Sequence, residues 1–252
     1  MKTILVTGAS SGFGKATAIH FAKNGWNVIG WARRFTKMEE WRNTLPIDVQ
    51  DRVHLSEVDV RDLNQVEVAF SALPSSFASI DVLLNNAGLA VGKDPIHLGI
   101  IKDWERMIDT NLKGLLYVTR TVSPGMVSRG IGHILNIGSI AGKESYPDGN
   151  VYNATKFGVD GLTSGMRMDL TPFGIKVSQI CPGMVDTEFS EVRFHGDRNK
   201  ASAVYQNMTP LMSQDIADLV WYIVNAPEHV NIADVLVLPT EQASATLVSR
   251  KA

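Results

Sequence analysis

The sequence predicts an α/β protein built on one parallel sheet with helices on both faces. Short apolar runs alternate along the chain with longer segments of helical period. Those runs are continuously apolar, as strands buried on both faces require. A glycine-rich turn joins the first run to the first helical segment.

Ile4-Leu5-Val6 begins as a buried strand, and Phe13 to Lys23 reads as a helix with Ala16, Ile19 and Ala22 on its apolar face. Asn27 to Trp31 is a second strand, Val53 to Val58 a third and Ile80 to Leu84 a fourth. A long helical stretch runs from about Trp104 to Arg129. His133 to Ile137 is the fifth strand, followed by a helix from about Val151 to Leu170. Lys176 to Ile180 is the sixth strand and Val235 to Leu238 the seventh. No linker or repeat interrupts the pattern, so residues 1–252 read as one domain. Thr187 to Pro210 breaks the rhythm; it is polar and long, and reads as a substrate lid or else a plain surface excursion. The tail from Thr240 onward either orders against a neighbouring subunit or frays.

Composition excludes more than it selects. The net charge of −2 gives no sign of a nucleic-acid or anionic-membrane partner. No stretch approaches the ~18 apolar residues of a membrane span, and the apolar run at the N-terminus is too short for a signal-peptide core. The single cysteine, Cys181, cannot form an internal disulfide, which favours the cytoplasm. The six histidines are scattered, and no metal-ligand cluster is visible.

Ligands of parallel sheets bind beyond the carboxyl ends of the strands. After the first strand comes Gly8-Ala9-Ser10-Ser11-Gly12-Phe13-Gly14. Glycines allow φ > 0 and close backbone approach, and the following helix N-terminus offers free N–H groups to a pyrophosphate. The second strand ends in Ala32-Arg33-Arg34 with no carboxylate. Two guanidiniums can fork onto a 2′-phosphate, which selects NADP over NAD, unless they are a solvated loop. Asp59-Val60 lies where an adenine ring would be edged, although Asp59 could simply cap a helix starting near Asp62. In Asn85-Asn86-Ala87-Gly88, small residues permit close cofactor approach and amides can pin backbone; as a turn the run would be unremarkable.

Tyr152 and Lys156 stand four apart and share a helix face. A neighbouring ammonium and a positive nicotinamide would lower the tyrosine's pKa from about 10, letting it exchange a proton with a substrate oxygen. Lys156 could also hold the nicotinamide ribose. Ser139 follows the fifth strand and could orient the substrate oxygen or cap a turn.

Taken together, Gly8 to Gly14, Asn85 to Gly88, Asn111, Ser139, Tyr152-x-x-x-Lys156 and Pro182-Gly183 resemble the classical short-chain dehydrogenase/reductases, in order and spacing, across nearly the whole chain. The resemblance implies a doubly wound, seven-stranded Rossmann-type sheet, NADP(H) as cofactor and a Ser-Tyr-Lys active site. It implies that Asn111 holds a water connecting Lys156 to solvent. It also implies that Pro182, Gly183, Val185 and Thr187 lie over the nicotinamide carboxamide, and that the enzyme is a homotetramer. Many NADP-preferring members carry a basic residue just before the second motif glycine; Ser11 stands there, so the phosphate must rely on Arg33 and Arg34.

Asn150-Val151-Tyr152, Thr187 to Phe194, Gly196-Asp197 and His229 to Ile232 resemble the NADP-dependent 3-hydroxy acid dehydrogenases, associated with L-serine and L-allo-threonine, and a similar group that reduces sulfoacetaldehyde to isethionate. Both take small anionic substrates, which need a cation or strong donors. Arg193 is the candidate cation, against a loop-ordering salt bridge, and Tyr146 a second donor, against ordinary packing. Two other readings stand beside this one: a non-catalytic NADP sensor, which Ser139, Tyr152 and Lys156 together argue against, and an enzyme for a larger apolar alcohol.

Overall fold

The computed structural model describes residues 1–250. Seven strands form one parallel sheet in the order β3-β2-β1-β4-β5-β6-β7: β1 Thr3–Thr7, β2 Asn27–Ala32, β3 Val53–Glu57, β4 Val82–Asn85, β5 Gly132–Ile137, β6 Ile175–Pro182 and β7 Asp234–Val237. The order reverses direction between β1 and β4, the switch point at which such sheets open a crevice. The helices are α1 Gly12–Lys23, α2 Phe35–Asn43, α3 Ile47–Gln50, α4 Leu63–Ser71, α5 Ile101–Ile108, α6 Leu115–Arg129, α7 Asn150–Leu170, α8 Phe189–Arg193, α9 Arg198–Ala203 and α10 Ser213–Val224.

Every residue of β1, β4 and β5 is buried, which explains the continuous apolar runs. Side chains alternate between two cores, as the two-residue period of a strand requires. Ile4 and Val6 join Phe21 of α1 and Ile216 and Val220 of α10 on one face. Leu5 joins Leu83, Ile134, Val118 and Met126 on the other. Each such side chain contributes about 1.5–3 kcal/mol by leaving water.

The seven expected strands are all present, with ends shifted by at most two residues. The apolar face of α1 is rotated from the expected one. Gly14, Thr17, Ala18, Phe21 and Ala22 are buried, a complete i, i+3, i+4, i+7, i+8 stripe, whereas Ala16 and Ile19 are only half-buried. The expected helix from Trp104 begins earlier and is interrupted by a π-helical segment, Asp109–Gly114, between α5 and α6. The expected loop from 187 to 210 carries two short helices, α8 and α9. Helix α10, unmarked in the sequence reading, buries Ile216, Ala217, Val220 and Ile223. Through residue 250 the tail is ordered against its own chain: Gln242 pairs with Val248, Ser249 N–H donates to the Glu241 carbonyl, and Arg250 bonds the carbonyls of Val204 and Gln206. Its last two residues lie outside the described residues.

Candidate active site

A cleft of about 890 Å³ runs along the carboxyl ends of the strands. All the sequence-predicted site residues line it except Gly14 and Asn111, which stand directly behind the wall.

The glycine turn is held from two sides. The Asn86 amide donates to the carbonyls of Thr7 (2.8 Å) and Gly8 (3.3 Å), and Trp41 of α2 donates its indole N–H to the Ala9 carbonyl (3.0 Å). Gly8 has φ +68°, and a Cβ there would lie 2.8 Å from the Asn86 amide nitrogen. A Cβ on Gly14 would meet the Gly8 carbonyl oxygen at 2.5 Å, so α1 can start only where glycine allows it. Ser11 is the N-cap of α1 but gives no side-chain cap; its hydroxyl accepts from Arg34 instead (2.7 Å). The first turn of α1 also lacks acids. Its free N–H groups therefore fit a pyrophosphate.

Arg33 makes no hydrogen bond among the described residues. Burial pushes its pKa down, and the nearby charges of Arg61, Arg106 and Arg34 act in the same direction against Asp59. Several guanidiniums gathered around one carboxylate leave an excess of positive charge, which suits a phosphate. Asp59 does not cap the helix near Asp62: Asp62 does so itself, accepting from the N–H groups of Asn64 and Gln65. The Asp59 carboxylate is gripped by Arg61 Nε at 2.9 Å and Nη2 at 2.5 Å. Burial pushes that carboxyl up, but its bonds and attraction to Arg61 carry it below the usual range.

Further in, β5 delivers Ser139 and α7 delivers Tyr152 and Lys156. Ser139 both faces the cleft and caps a 3₁₀ turn, accepting from Ala141 N–H at 3.1 Å. Lys156 Nζ donates to the Ile137 carbonyl at 2.8 Å and lies 5.9 Å from the Tyr152 ring centre. The expected lowering of the Tyr152 pKa is not found in the chain by itself: burial pushes the phenol well up, while Ser139 and Arg193 pull weakly the other way. Burial meanwhile brings Lys156 down to about 8. In the chain by itself, burial thus favours the neutral phenol of Tyr152.

Asn111 sits buried in the π-helical segment that interrupts the helix between α5 and α6. Its amide accepts from Leu89 N–H (2.9 Å) and donates to the Leu89 carbonyl (2.8 Å) and the Thr155 hydroxyl (3.0 Å). A Cβ on Gly88 would touch both Asn111 Oδ1 and Lys156 Nζ, which places the two groups on one side of that glycine.

At the far end, Arg193 Nη2 donates to the Tyr146 phenol oxygen at 2.8 Å. The guanidinium lies 5.2 Å from the Tyr146 ring centre and 6.0 Å from that of Tyr152. It forms no salt bridge with a carboxylate among the described residues, and its buried Nε has no acceptor there. Phe189 packs edge-on against Tyr152. Sequence reasoning missed Trp41, Thr155, Lys37, Glu188 and Gln242, whose Oε1 accepts from Met184 N–H at 2.7 Å beside Pro182-Gly183. They act through partners distant in sequence, and no local pattern marks them.

Residues 2–198 match the short chain dehydrogenase family. The chain belongs to that family. It is 46% identical over 245 residues to the NADP-dependent 3-hydroxy acid dehydrogenase YdfG of Salmonella typhimurium, covering 97% of each chain. It is 43% identical over 249 residues to sulfoacetaldehyde reductase 2 of Chromohalobacter salexigens, covering 98% of each. The solved closed form of serine dehydrogenase complexed with NADP+ superposes with a TM-score of 0.93 at 43% identity, covering 99% of this chain and 100% of that one.

Proposed function

We propose that this NADP-dependent oxidoreductase interconverts a small anionic 3-hydroxy acid, of the L-serine or L-allo-threonine type, and its semialdehyde or keto form. One observation carries the substrate class: the Arg193 guanidinium, without a carboxylate partner among the described residues, faces the same cleft as the Tyr152 phenol. A cation without a counter-ion beside a proton-transfer group suits a short substrate with an anion a few atoms from its reacting carbon. Tyr146 holds that guanidinium. The serine dehydrogenase and 3-hydroxy acid dehydrogenase relatives support the reading.

The free N-terminus of α1, the glycine cradle and the unpaired Arg33 fit NADP(H). When bound, the nicotinamide exchanges a hydride with the substrate carbon. The chain supplies the remainder. Ser139 orients the substrate oxygen, and Tyr152 Oη gives a proton to that oxygen in reduction or takes it in oxidation. Lys156, in its ammonium form, stabilises the phenolate and holds the ribose, with Asn111 behind it on the proton's route to solvent. We take residues 1–252 as one catalytic domain with the 187–210 segment as its substrate lid. We further propose a cytoplasmic homotetramer; exposed Ile101, Ile108, Leu116 and Phe157 on α5, α6 and α7 support self-association, whose stoichiometry light scattering after size exclusion would test.

The test of substrate is hydride transfer followed by nicotinamide absorbance, with L-serine and L-allo-threonine oxidised and malonic semialdehyde and sulfoacetaldehyde reduced. Highest kcat/KM for the hydroxy acids and their semialdehydes supports the proposal. Dominance of sulfoacetaldehyde, which the Chromohalobacter relative favours, would assign the same site to a sulfonate.

A further inference from the structure

Glu188 opens α8, and both of its carboxylate oxygens are engaged across the cleft. Oε2 accepts from Arg34 Nη1 and Oε1 from Lys37 Nζ, each at 2.7 Å. The two cations belong to the end of β2 and the start of α2, whereas Glu188 follows β6, so the bridge joins opposite walls. Thr187 stands over the glycine turn, with its Cγ2 3.6 Å from where a Gly12 Cβ would be. The Thr187 side chain therefore lies against Gly12 at the uncapped N-terminus of α1, where the pyrophosphate would sit. The same Arg34 holds the hydroxyls of Ser10 and Ser11 at 3.1 and 2.7 Å. Charge balance permits the bridge to coexist with a phosphate. Arg34 and Lys37 share one carboxylate and keep one net positive charge, to which the unpaired Arg33 adds a second.

We propose that Glu188 and Lys37 are cofactor-retaining residues: the Glu188 carboxylate, held by Lys37 and Arg34, straps the two walls of the cleft over the bound dinucleotide and slows its release. Neither touches a reacting atom; both are positioning residues. The pairing also pulls the Glu188 carboxyl down to about 2, so the strap stays charged throughout the neutral range. The inference rests on the placement of the dinucleotide and is independent of which substrate is used.

NADPH release can be timed without substrate, by displacing bound NADPH with excess NADP+ in a stopped-flow fluorimeter. Glu188→Gln and Lys37→Met should each release NADPH about two- to fivefold faster than wild type, with unchanged melting temperature, since exposed ion pairs are of that strength. The double variant should be no faster than Glu188→Gln, because both remove one bridge. Unchanged release in Glu188→Gln overturns the strap, as does tighter binding, the mark of a carboxylate competing with the phosphate. Additive effects in the double variant overturn it as well. Failure of the wild-type protein to bind NADPH would instead overturn the dinucleotide placement beneath it.

Discussion

Arg193, on a five-residue helix of the 187–210 segment, donates a 2.8 Å hydrogen bond to the phenol oxygen of Tyr146. The segment is also pinned to the body of the protein at that residue, because Gly92 N–H donates to the Arg193 carbonyl at 3.0 Å. The cation is thus set by both its backbone and its side chain, and its remaining donors have no acid to satisfy them among the described residues.

Arg193→Ala should raise KM for an anionic substrate about ten- to hundredfold, the loss of one charge-assisted bond pair, and leave the Kd for NADPH unchanged. Steady-state kinetics with an anionic substrate and an uncharged ketone separates the cases. An equal loss on both substrates would mean that Arg193 only orders the loop.

Tyr152→Phe should bind NADPH normally and lose turnover by at least about a hundredfold, since the proton has no other donor of suitable position. Fluorescence titration and absorbance assays check the two halves. Near-normal turnover would remove Tyr152 from the mechanism.

Replacing Arg33 and Arg34 together by alanine should weaken NADPH by about a hundredfold or more and NADH far less, because only NADPH carries the 2′-phosphate. Equal losses for the two cofactors would refute the assignment.

His133 lies buried in β5, with Nε2 2.8 Å from the Ser178 hydroxyl. Burial pushes its pKa down to about 3 from 6.5. Between those values the unfolded chain takes up the proton and the folded chain does not, so stability is full above about 6.5 and falls as the pH drops toward 3. From pH 7 to 4.5 this group alone should cost about 2–3 kcal/mol. Urea unfolding at the two pH values should show a correspondingly smaller loss in His133→Gln. An identical loss in both proteins would exclude His133 as a source.

The sheet was legible because its strands are buried on both faces and leave unbroken apolar runs. Helix α10 was not, although Ile216, Ala217, Val220 and Ile223 fall at helical spacing, because it directly follows the irregular 187–210 segment. The face of α1 was misjudged because small Gly14 and polar Thr17 occupy the buried stripe, where close packing on the sheet matters more than hydrophobicity. The glycine turn, Ser139, Tyr152 and Lys156 could be read from local spacing. The roles of Asp59 and Glu188 could not: Asp59 is claimed by Arg61, and Glu188 finds Arg34 across more than a hundred residues of chain, so their partners exist only in the folded molecule.

The most direct test of the whole account is kcat/KM for one 3-hydroxy acid and its uncharged methyl ester, each with NADP+ and with NAD+. The account predicts that the free acid with NADP+ is fastest, that the ester loses about ten- to hundredfold, and that NAD+ is poor with both. Equal rates for acid and ester would contradict the anionic subsite at Arg193, and a preference for NAD+ would contradict the phosphate site at Arg33 and Arg34.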